Sequence, residues 1–271
     1  MSGSTADKRS AFHRLHEAGC FVIPNPWDVG SARMLSHLGF KALASTSAGF
    51  AWSVGYRDGE APLEDMLGHL KALSAAVDIP VSADFGNGYA TDLPALEINV
   101  TRAAATGLAG LSIEDASGDA SAPLFEFAHA LERVKTARTA IDRSGARVLL
   151  TARSEGFLLG KPDLAETIRR LCAFADAGAD CLYAPGLKTT DGIAAVVKAV
   201  APKPVNLLIG PTGLSVAEAA ALGVRRISIG GALARAAWGE AERVAREIME
   251  SGTFTGLARA ATSAAVEKTL K

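Results

Sequence analysis

The chain of 271 residues has little cysteine, little histidine and no surplus of charge. Its three cysteines, Cys20, Cys172 and Cys181, form no C-x-x-C pair and no other zinc spacing, which argues against a disulfide framework or a thiolate metal site. The five histidines, His13, His16, His37, His69 and His129, fall in stretches that read as helices, and no two stand at metal-ligand spacing. Lys plus Arg is 28 against 29 for Asp plus Glu, a net charge of −1, so no basic excess exists to neutralise a phosphate backbone and no nucleic-acid partner is expected. No apolar run approaches the roughly 20 residues of a membrane span, so no membrane partner is expected either. The stretch from Met1 to Arg9 is polar and holds no apolar signal core; a cytoplasmic location is the expectation. Neither G-x-x-x-x-G-K-[ST] nor G-x-S-x-G occurs. The run Asp84-Phe85-Gly86-Asn87-Gly88-Tyr89 lacks the third glycine of a dinucleotide loop.

What is present is a regular alternation. Apolar residues make up 49% of the chain and mean hydropathy is +0.19, as in a globular protein. Eight short apolar runs recur at Phe21–Pro24, Lys41–Ala44, Ile79–Ser82, Gly110–Ile113, Arg147–Thr151, Cys181–Ala184, Pro204–Ile209 and Arg226–Ile229. Between them apolar residues return at three- and four-residue steps, as at Leu164, Ile168, Leu171 and Ala175, which predicts helices. Glycines 107, 178 and 223 stand where helices should stop before the fourth, sixth and eighth runs. Strands that are apolar throughout imply burial on both faces, hence a parallel sheet beneath helices. Eight such units fit an α/β fold of the (β/α)8 TIM-barrel type, with an open doubly wound sheet as the alternative. The whole chain, 1–271, reads as a single barrel domain, with 240–271 as a C-terminal helical extension.

A barrel of this kind places its chemistry at the C-terminal ends of the strands. The polar residues there are Asn25 and Asp28, then Ser45, Thr46 and Ser47, then Asp84, then Glu114 and Asp115, then Arg153 and Glu155, and finally Asn206. Asp84 and Glu114 are oxygen ligands on adjacent strands, the type Mg2+ takes while keeping several waters; pairing with a neighbouring base is the structural alternative. Arg153 could fork onto a substrate carboxylate, and an ion pair with Glu114 or Asp84 is compatible with that role. Ser45, Thr46 and Ser47 offer hydroxyls and backbone N–H groups to a carboxylate, though such a run is also ordinary turn chemistry. Gly230-Gly231 could receive a phosphate at a helix N-terminus, but close strand–helix packing is the preferred reading. The segment from Gly49 to Glu64 reads as a long loop and a candidate lid, with Asp58 at its tip.

These stretches, in order, resemble the isocitrate lyase / phosphoenolpyruvate mutase superfamily: N-P-W-D-V-G-S-A-R (Asn25–Arg33), A-S-T-S-A-G (Ala44–Gly49), G-Y-R-D-G-E (Gly55–Glu60), V-S-A-D-F-G-N-G-Y (Val81–Tyr89), S-I-E-D (Ser112–Asp115), T-A-R-S-E-G-F (Thr151–Phe157) and A-G-A-D-C-L-Y-A-P-G (Ala177–Gly186). The resemblance implies a barrel holding Mg2+, with Mn2+ as a substitute, that acts on small 2-oxo acids through an enolate. It places Asp84 and Glu114 at metal positions. Ser45, Thr46, Ser47 and Arg153 fall at positions that grip the α-keto carboxylate, Asp58 on the gating loop, and Asn206 in the pocket wall. It also implies a homo-oligomer, dimer or tetramer.

The sequence departs from that pattern in places that bear on chemistry. The K-K-C-G-H loop of the isocitrate lyases is absent; Glu114-Asp115 runs on into Ala116-Ser117-Gly118-Asp119. The lysine, asparagine and serine that hold a phosphoryl group in the mutases are missing from the same loop. Ala184-Pro185 stands where mutases carry histidine, and Asp84 is a lone acid, with Ser82 two residues before it and Gly86 two after. The expected activity is a Mg2+-dependent lyase or decarboxylase cleaving a C–C bond of a small 2-oxo or malate-type acid. A phosphonopyruvate-type mutase or hydrolase and a catalytically inactive acid-binding barrel are the alternatives. For the proton donor, Tyr89 and Glu155 are the candidates.

Overall fold

A computed structural model describes residues 3–211 and 213–270. It is a (β/α)8 barrel. After α1 (Thr5–Leu15) the chain runs β1 (Phe21–Val22), α2 (Val29–His37), β2 (Leu43–Ala44), α3 (Ser47–Ser53), α4 (Leu63–Ala76), β3 (Val81–Asp84), α5 (Leu93–Ala104), β4 (Gly110–Glu114) and α6 (Phe127–Arg143). It continues through β5 (Leu149–Arg153), α7 (Leu164–Asp176), β6 (Cys181–Tyr183), α8 (Thr190–Val200), β7 (Val205–Leu208), α9 (Val216–Ala221), β8 (Arg226–Ser228), α10 (Ala232–Ser251), a 3-10 turn (Thr255–Arg259) and α11 (Ser263–Thr269). Each strand overlaps one of the eight apolar runs, with β3, β4 and β5 extending one or two residues past theirs to Asp84, Glu114 and Arg153, and every pair in the sheet is parallel, in the order β1-β8-β7-β6-β5-β4-β3-β2.

The sheet closes between its two edge strands with sparse bonding. The Ala44 amide donates to the Pro24 carbonyl at 3.1 Å, just beyond β1. Asn25 then reinforces the seam: its Nδ2 donates to the Ser45 carbonyl at 3.0 Å and its Oδ1 accepts from the Ile229 amide at 2.9 Å. One buried side chain thus ties β1 to both neighbours where no longer ladder does so, satisfying backbone groups that would otherwise be orphaned.

The barrel floor is closed by α1. Phe12, fully buried, packs with Ile23, Ala42, Leu149 and Cys181. Gly110 at the start of β4 makes room for it, since a Cβ there would lie 2.6 Å from the Phe12 ring. The main apolar core lies between strands and helices. Helix stops before β4, β6 and β8 use Gly107, Gly178 and Gly223, all at positive φ.

Two expectations about segments change. The stretch from Gly49 to Glu64 is not one long loop: its first part lies in α3, whose N-cap Thr46 accepts from the Gly49 amide, leaving only the turn from Val54 to Pro62 free of helix. The helix after β8 runs unbroken from Ala232 to Ser251, so position 240 falls inside it rather than at a junction. Only Ala234 of α10 is buried, while Trp238 and Met249 are exposed. No helix among the described residues is long and apolar enough to cross a membrane.

Candidate active site

A cavity of about 570 Å3 opens at the C-terminal end of the barrel and reaches down between the strands. Its wall takes Asp84 from β3, Glu114 from β4, Arg153 from β5, Tyr183 from β6, Asn206 from β7 and Ser228 from β8, with Ser45, Thr46 and Ser47 following β2. Register explains the convergence. Glu114 pairs with Arg153 and Arg153 with Tyr183 across neighbouring strands, so the three side chains stand side by side.

Arg153 is the hub. Its Nη1 lies 2.7 Å from Asp84 Oδ1, its Nη2 3.1 Å from Glu114 Oε2, and its Nε 2.7 Å from Glu155 Oε1. Burial opposes its charge, but Glu155, Glu114 and Asp84 together hold the guanidinium well above its usual value. The guanidinium that the sequence offered to a substrate carboxylate, with an ion pair to Glu114 or Asp84 as a compatible role, meets three carboxylates of the protein through three of its five N–H groups. Burial pushes the Glu114 carboxyl up to about 8, with Glu155, Asp84 and Asp115 adding to the rise against the pull of Arg153. Glu155 is raised as well, again by burial first.

The run after β2 behaves similarly. The Ser47 amide and hydroxyl both donate to Asp84 Oδ2, at 2.9 and 2.8 Å, and the Asp84 amide donates to Ser45 Oγ at 2.9 Å. Thr46 caps α3. These groups hold a carboxylate, and it is that of Asp84. Asp58 sits on the turn after α3; the residue is exposed overall, yet its carboxyl faces the cavity mouth, where burial and Asp84 raise it and Arg153 lowers it. Asn206 is buried beneath them, its Oδ1 accepting from Arg226 Nε at 2.8 Å and its Nδ2 donating to Ser228 Oγ at 2.9 Å.

Other strand-end residues do structural work. Asp28 caps α2, accepting from the Ser31 amide. Asp115 accepts from the Glu155 amide at 2.7 Å and pairs with Arg170 at 3.1 Å, which fixes the turn carrying Glu155. Gly231 packs against Trp52: a Cβ there would approach the indole to 3.2 Å, in keeping with close packing at this turn. Sequence reasoning missed Tyr183 and Arg226, both inside apolar runs, and Arg235, a cavity-lining residue on α10. Pattern alone does not say which strand residues face the barrel interior when both faces are buried.

The cavity holds Asp58, Asp84, Glu114 and Glu155 around the Arg153 guanidinium, with Arg226 and Arg235 as further cations in its wall. Asp84 and Glu114 supply hard oxygen donors from adjacent strands. Among the described residues, no group of three or more His, Cys, Asp or Glu side chains is placed to enclose a metal. That donor set fits Mg2+, which is commonly held by one or two carboxylates with water and substrate completing its shell, and does not fit an all-protein cage.

Comparison with known proteins bears on this arrangement. The family model described as phosphoenolpyruvate phosphomutase matches residues 12–249. A crystal structure of a lyase/mutase candidate from Burkholderia cenocepacia J2315 is 46% identical and superposes with a TM-score of 0.94, covering 97% of this chain and 96% of its own. An uncharacterized protein of Mycobacterium tuberculosis (strain ATCC 25618 / H37Rv) is 34% identical over 222 residues, 81% of each chain. The oxaloacetate decarboxylase of Paraburkholderia xenovorans (strain LB400) is 26% identical over 236 residues, 84% of this chain and 76% of its own. The structure of oxaloacetate acetylhydrolase in complex with oxalate is 26% identical with a TM-score of 0.86, covering 98% of this chain and 94% of its own.

Proposed function

The chain belongs to the phosphoenolpyruvate phosphomutase family, whose similar members include lyases and mutases, and from that premise we propose that it is a Mg2+-dependent carbon–carbon lyase that decarboxylates a small 2-oxo diacid of the oxaloacetate type. The observation that carries this reading is the clustering of acids at the rim. Asp84, Glu114 and Glu155 each touch Arg153 and Asp58 lines the same mouth, so a dianionic substrate would meet local repulsion on that side of the cavity unless a divalent cation came with it, while Arg226 and Arg235 stand elsewhere in the wall. Asp84 and Glu114 would hold that cation. When bound, Mg2+ would supply Lewis-acid stabilisation to the oxygen that becomes the enolate.

The rest of the wall supports decarboxylation over the alternatives. No His, Cys or Lys is among the described residues that line the cavity, so a thiol acid, an imidazole base and a Schiff base are all without a carrier there. Cleavage of a malate-type acid needs a base for its hydroxyl as well as an acid for the carbanion. Loss of CO2 from a 3-carboxy-2-oxo acid needs only an electron sink and a later proton. The turn after β4 contributes Ala116 and Gly118, neither able to clamp a phosphonyl group. Ser45 and Ser47 hold Asp84 in place and Thr46 caps the helix beside them, Arg153 keeps the acids apart and ordered, Asn206 supports the floor, and Asp58 rides on the turn that covers the mouth. The exposed Trp238 and Met249 on α10 support a homo-oligomer.

Calorimetric titration with oxalate, a mimic of the enolate, tests the site, first with Mg2+ and then with EDTA. Binding that requires Mg2+, is abolished by Asp84→Ala, and accompanies CO2 release from oxaloacetate is the expected result. Binding indifferent to metal, or none, would leave an acid-binding or inactive barrel.

A further inference from the structure

Decarboxylation through an enolate leaves a carbon that must gain a proton, and the two donors expected from sequence are poorly placed for it. Glu155 is buried and its carboxylate is held by Arg153 Nε at 2.7 Å. Tyr89 lies on the turn after β3 with its ring tilted on Phe85, and its hydroxyl feels Asp84, Asp58 and Glu114, the acids on the cation side of the cavity.

Tyr183 is different. It ends β6, standing between Arg153 of β5 and Asn206 of β7 in the sheet register, and its ring centroid lies 5.2 Å from the Arg153 guanidinium carbon. It lines the cavity although only 9% of the residue is exposed. Among the described residues its hydroxyl has one hydrogen-bond partner, Ser228 Oγ at 3.4 Å. The direction of that contact is set from below. Arg226 Nε donates to Asn206 Oδ1 at 2.8 Å, which turns the amide so that Asn206 Nδ2 donates to Ser228 Oγ at 2.9 Å. Ser228, already accepting, donates onward to Tyr183 Oη. The phenol proton then has no acceptor among the described residues and is free to face the cavity.

We propose that Tyr183 is the proton donor to the enolate carbon, a role that rests on the lyase reading above. As the bond to the leaving carboxylate breaks, its electron pair enters the C2–C3 bond, charge gathers on the C2 oxygen, and CO2 departs. The enolate then takes the phenol proton at C3. The phenolate that remains lies beside the Arg153 guanidinium and accepts from Ser228, and a cavity water returns the proton. One proton is consumed per turnover, supplied by water. Burial pushes the free phenol up to about 12, against the pull of Arg153, so it stands protonated across the neutral range as the acid of the forward direction, and the phenolate it leaves is the base of the reverse step.

The test uses the product side of the reaction, which needs no C–C cleavage. Exchange of pyruvate methyl protons in D2O with Mg2+, followed by NMR, reads proton transfer at C3 directly. Tyr183→Phe is expected to lose this exchange by about 100-fold or more while Mg2+-dependent oxalate binding is retained, and Tyr56→Phe, at an exposed tyrosine outside the cavity lining, is expected to keep it, with Tyr89→Phe testing the competing donor. With oxaloacetate, Tyr183→Phe should release CO2 ahead of pyruvate, the lag marking enolpyruvate that escapes and ketonises in solution. No exchange in the wild type, equal exchange in Tyr183→Phe, or loss confined to Tyr89→Phe would each overturn the assignment. The lyase reading fails by a separate sign: a wild type that exchanges pyruvate protons yet releases no CO2 from oxaloacetate keeps Tyr183 as donor and is not a decarboxylase of that acid.

Discussion

Nε2 of His16 lies 3.2 Å from Nη1 of Arg226, while its Nδ1 lies 2.8 Å from the carbonyl oxygen of Phe12. A carbonyl only accepts, so Nδ1 carries the proton and Nε2 receives the guanidinium's hydrogen bond. The ring is neutral and edge-on to Phe12 and Phe21. Arg226 thereby gains a buried acceptor in place of a carboxylate, alongside Asn206 and Thr151. The barrel floor holds the cation that orients the chain of hydrogen bonds leading up to Tyr183.

That arrangement makes the fold sensitive to acid. Burial first, then the charge of Arg226, lowers the His16 imidazole to about 3, and burial lowers that of His69 to about 4. The unfolded chain takes up these protons near 6.5 and the native state only far below, so stability is complete above that point and falls as pH drops toward 3. In urea unfolding from pH 7.5 down to 4.5 the two histidines should withdraw stability on the order of a few kcal/mol, while Glu114, raised to about 8 in the native state, acts in the opposite direction, so the histidine part is read from the difference between wild type and a histidine variant. His69→Met, which removes one of the two groups, should flatten the decline. Parallel curves for wild type and variant would show that His69 protonates equally in both states.

Arg153 should be indispensable to folding as well as to chemistry. Its side chain is 11% exposed and touches Asp84, Glu114 and Glu155 at once. Arg153→Met would leave those acids facing one another, a loss of about 3–5 kcal/mol by analogy with other broken buried pairs. Thermal melts should show a large drop in Tm, partly restored by millimolar MgCl2 because the freed carboxylates would bind the ion. Arg153→Lys should fall between, since one ammonium cannot satisfy three separated acids. A variant that melts with the wild type would mean that the guanidinium does not hold the cluster together.

The eight strands were legible because each is an apolar run ended by turn residues, and because Gly107, Gly178 and Gly223 mark three of the helix stops in the letters themselves. The strand-end acids and Arg153 were legible for the same reason: the fold puts them at one rim. What the letters hid is the direction of side chains within fully buried strands. Tyr183 and Arg226 look like strand filler until the register turns them inward. An ion pair of Arg153 with Glu114 or Asp84 was legible as an alternative, but that it holds both at once, with Glu155 as a third, was hidden, because sequence places residues at a rim without fixing which of them touch. The seam at Asn25 is a tertiary fact too, joining residues 25, 45 and 229. The segment after Ser47 read as loop for its glycines and polar second half, while the Thr46 cap and the apolar Phe50 and Ala51, buried in the core, make its start a helix.

Arg133 should act on the site from a distance. It is buried to 1% exposure on α6 and donates to the carbonyls of Asn87 and Thr91, clamping both ends of the turn that carries Tyr89. Its guanidinium also lies 4.3 Å over the Phe125 ring. Arg133→Met keeps most of the volume and removes both donors, leaving the half-buried Asn87 carbonyl without this partner at about 1–3 kcal/mol, while the exposed Thr91 carbonyl keeps its contact with His129 Nε2 at 3.0 Å. Limited proteolysis should show new cleavage between residues 86 and 92, and oxalate affinity should weaken because Gly86, Asn87 and Tyr89 line the cavity. Unchanged proteolysis would mean that Phe85 and α5 hold the turn without the arginine.

Gly86 offers a gain-of-function test of the proposed cation site. It lines the cavity two residues after Asp84, its carbonyl accepts from the Glu114 amide at 3.1 Å, and its φ is +53°. A Cβ there would meet nothing within 4 Å, so the obstacle to a side chain is backbone conformation, not space. Asp tolerates that conformation better than most residues, at a cost of about 1 kcal/mol. Gly86→Asp would add a third acid beside Asp84 and Glu114, and Mg2+ affinity should rise by about tenfold, since charge count at a carboxylate site tunes affinity. Gly86→Ala carries the same backbone cost without the carboxylate and should bind Mg2+ as the wild type does. Calorimetric titration of Mg2+ into the three proteins separates the cases. If aspartate tightens nothing, the cation does not sit between Asp84 and Glu114.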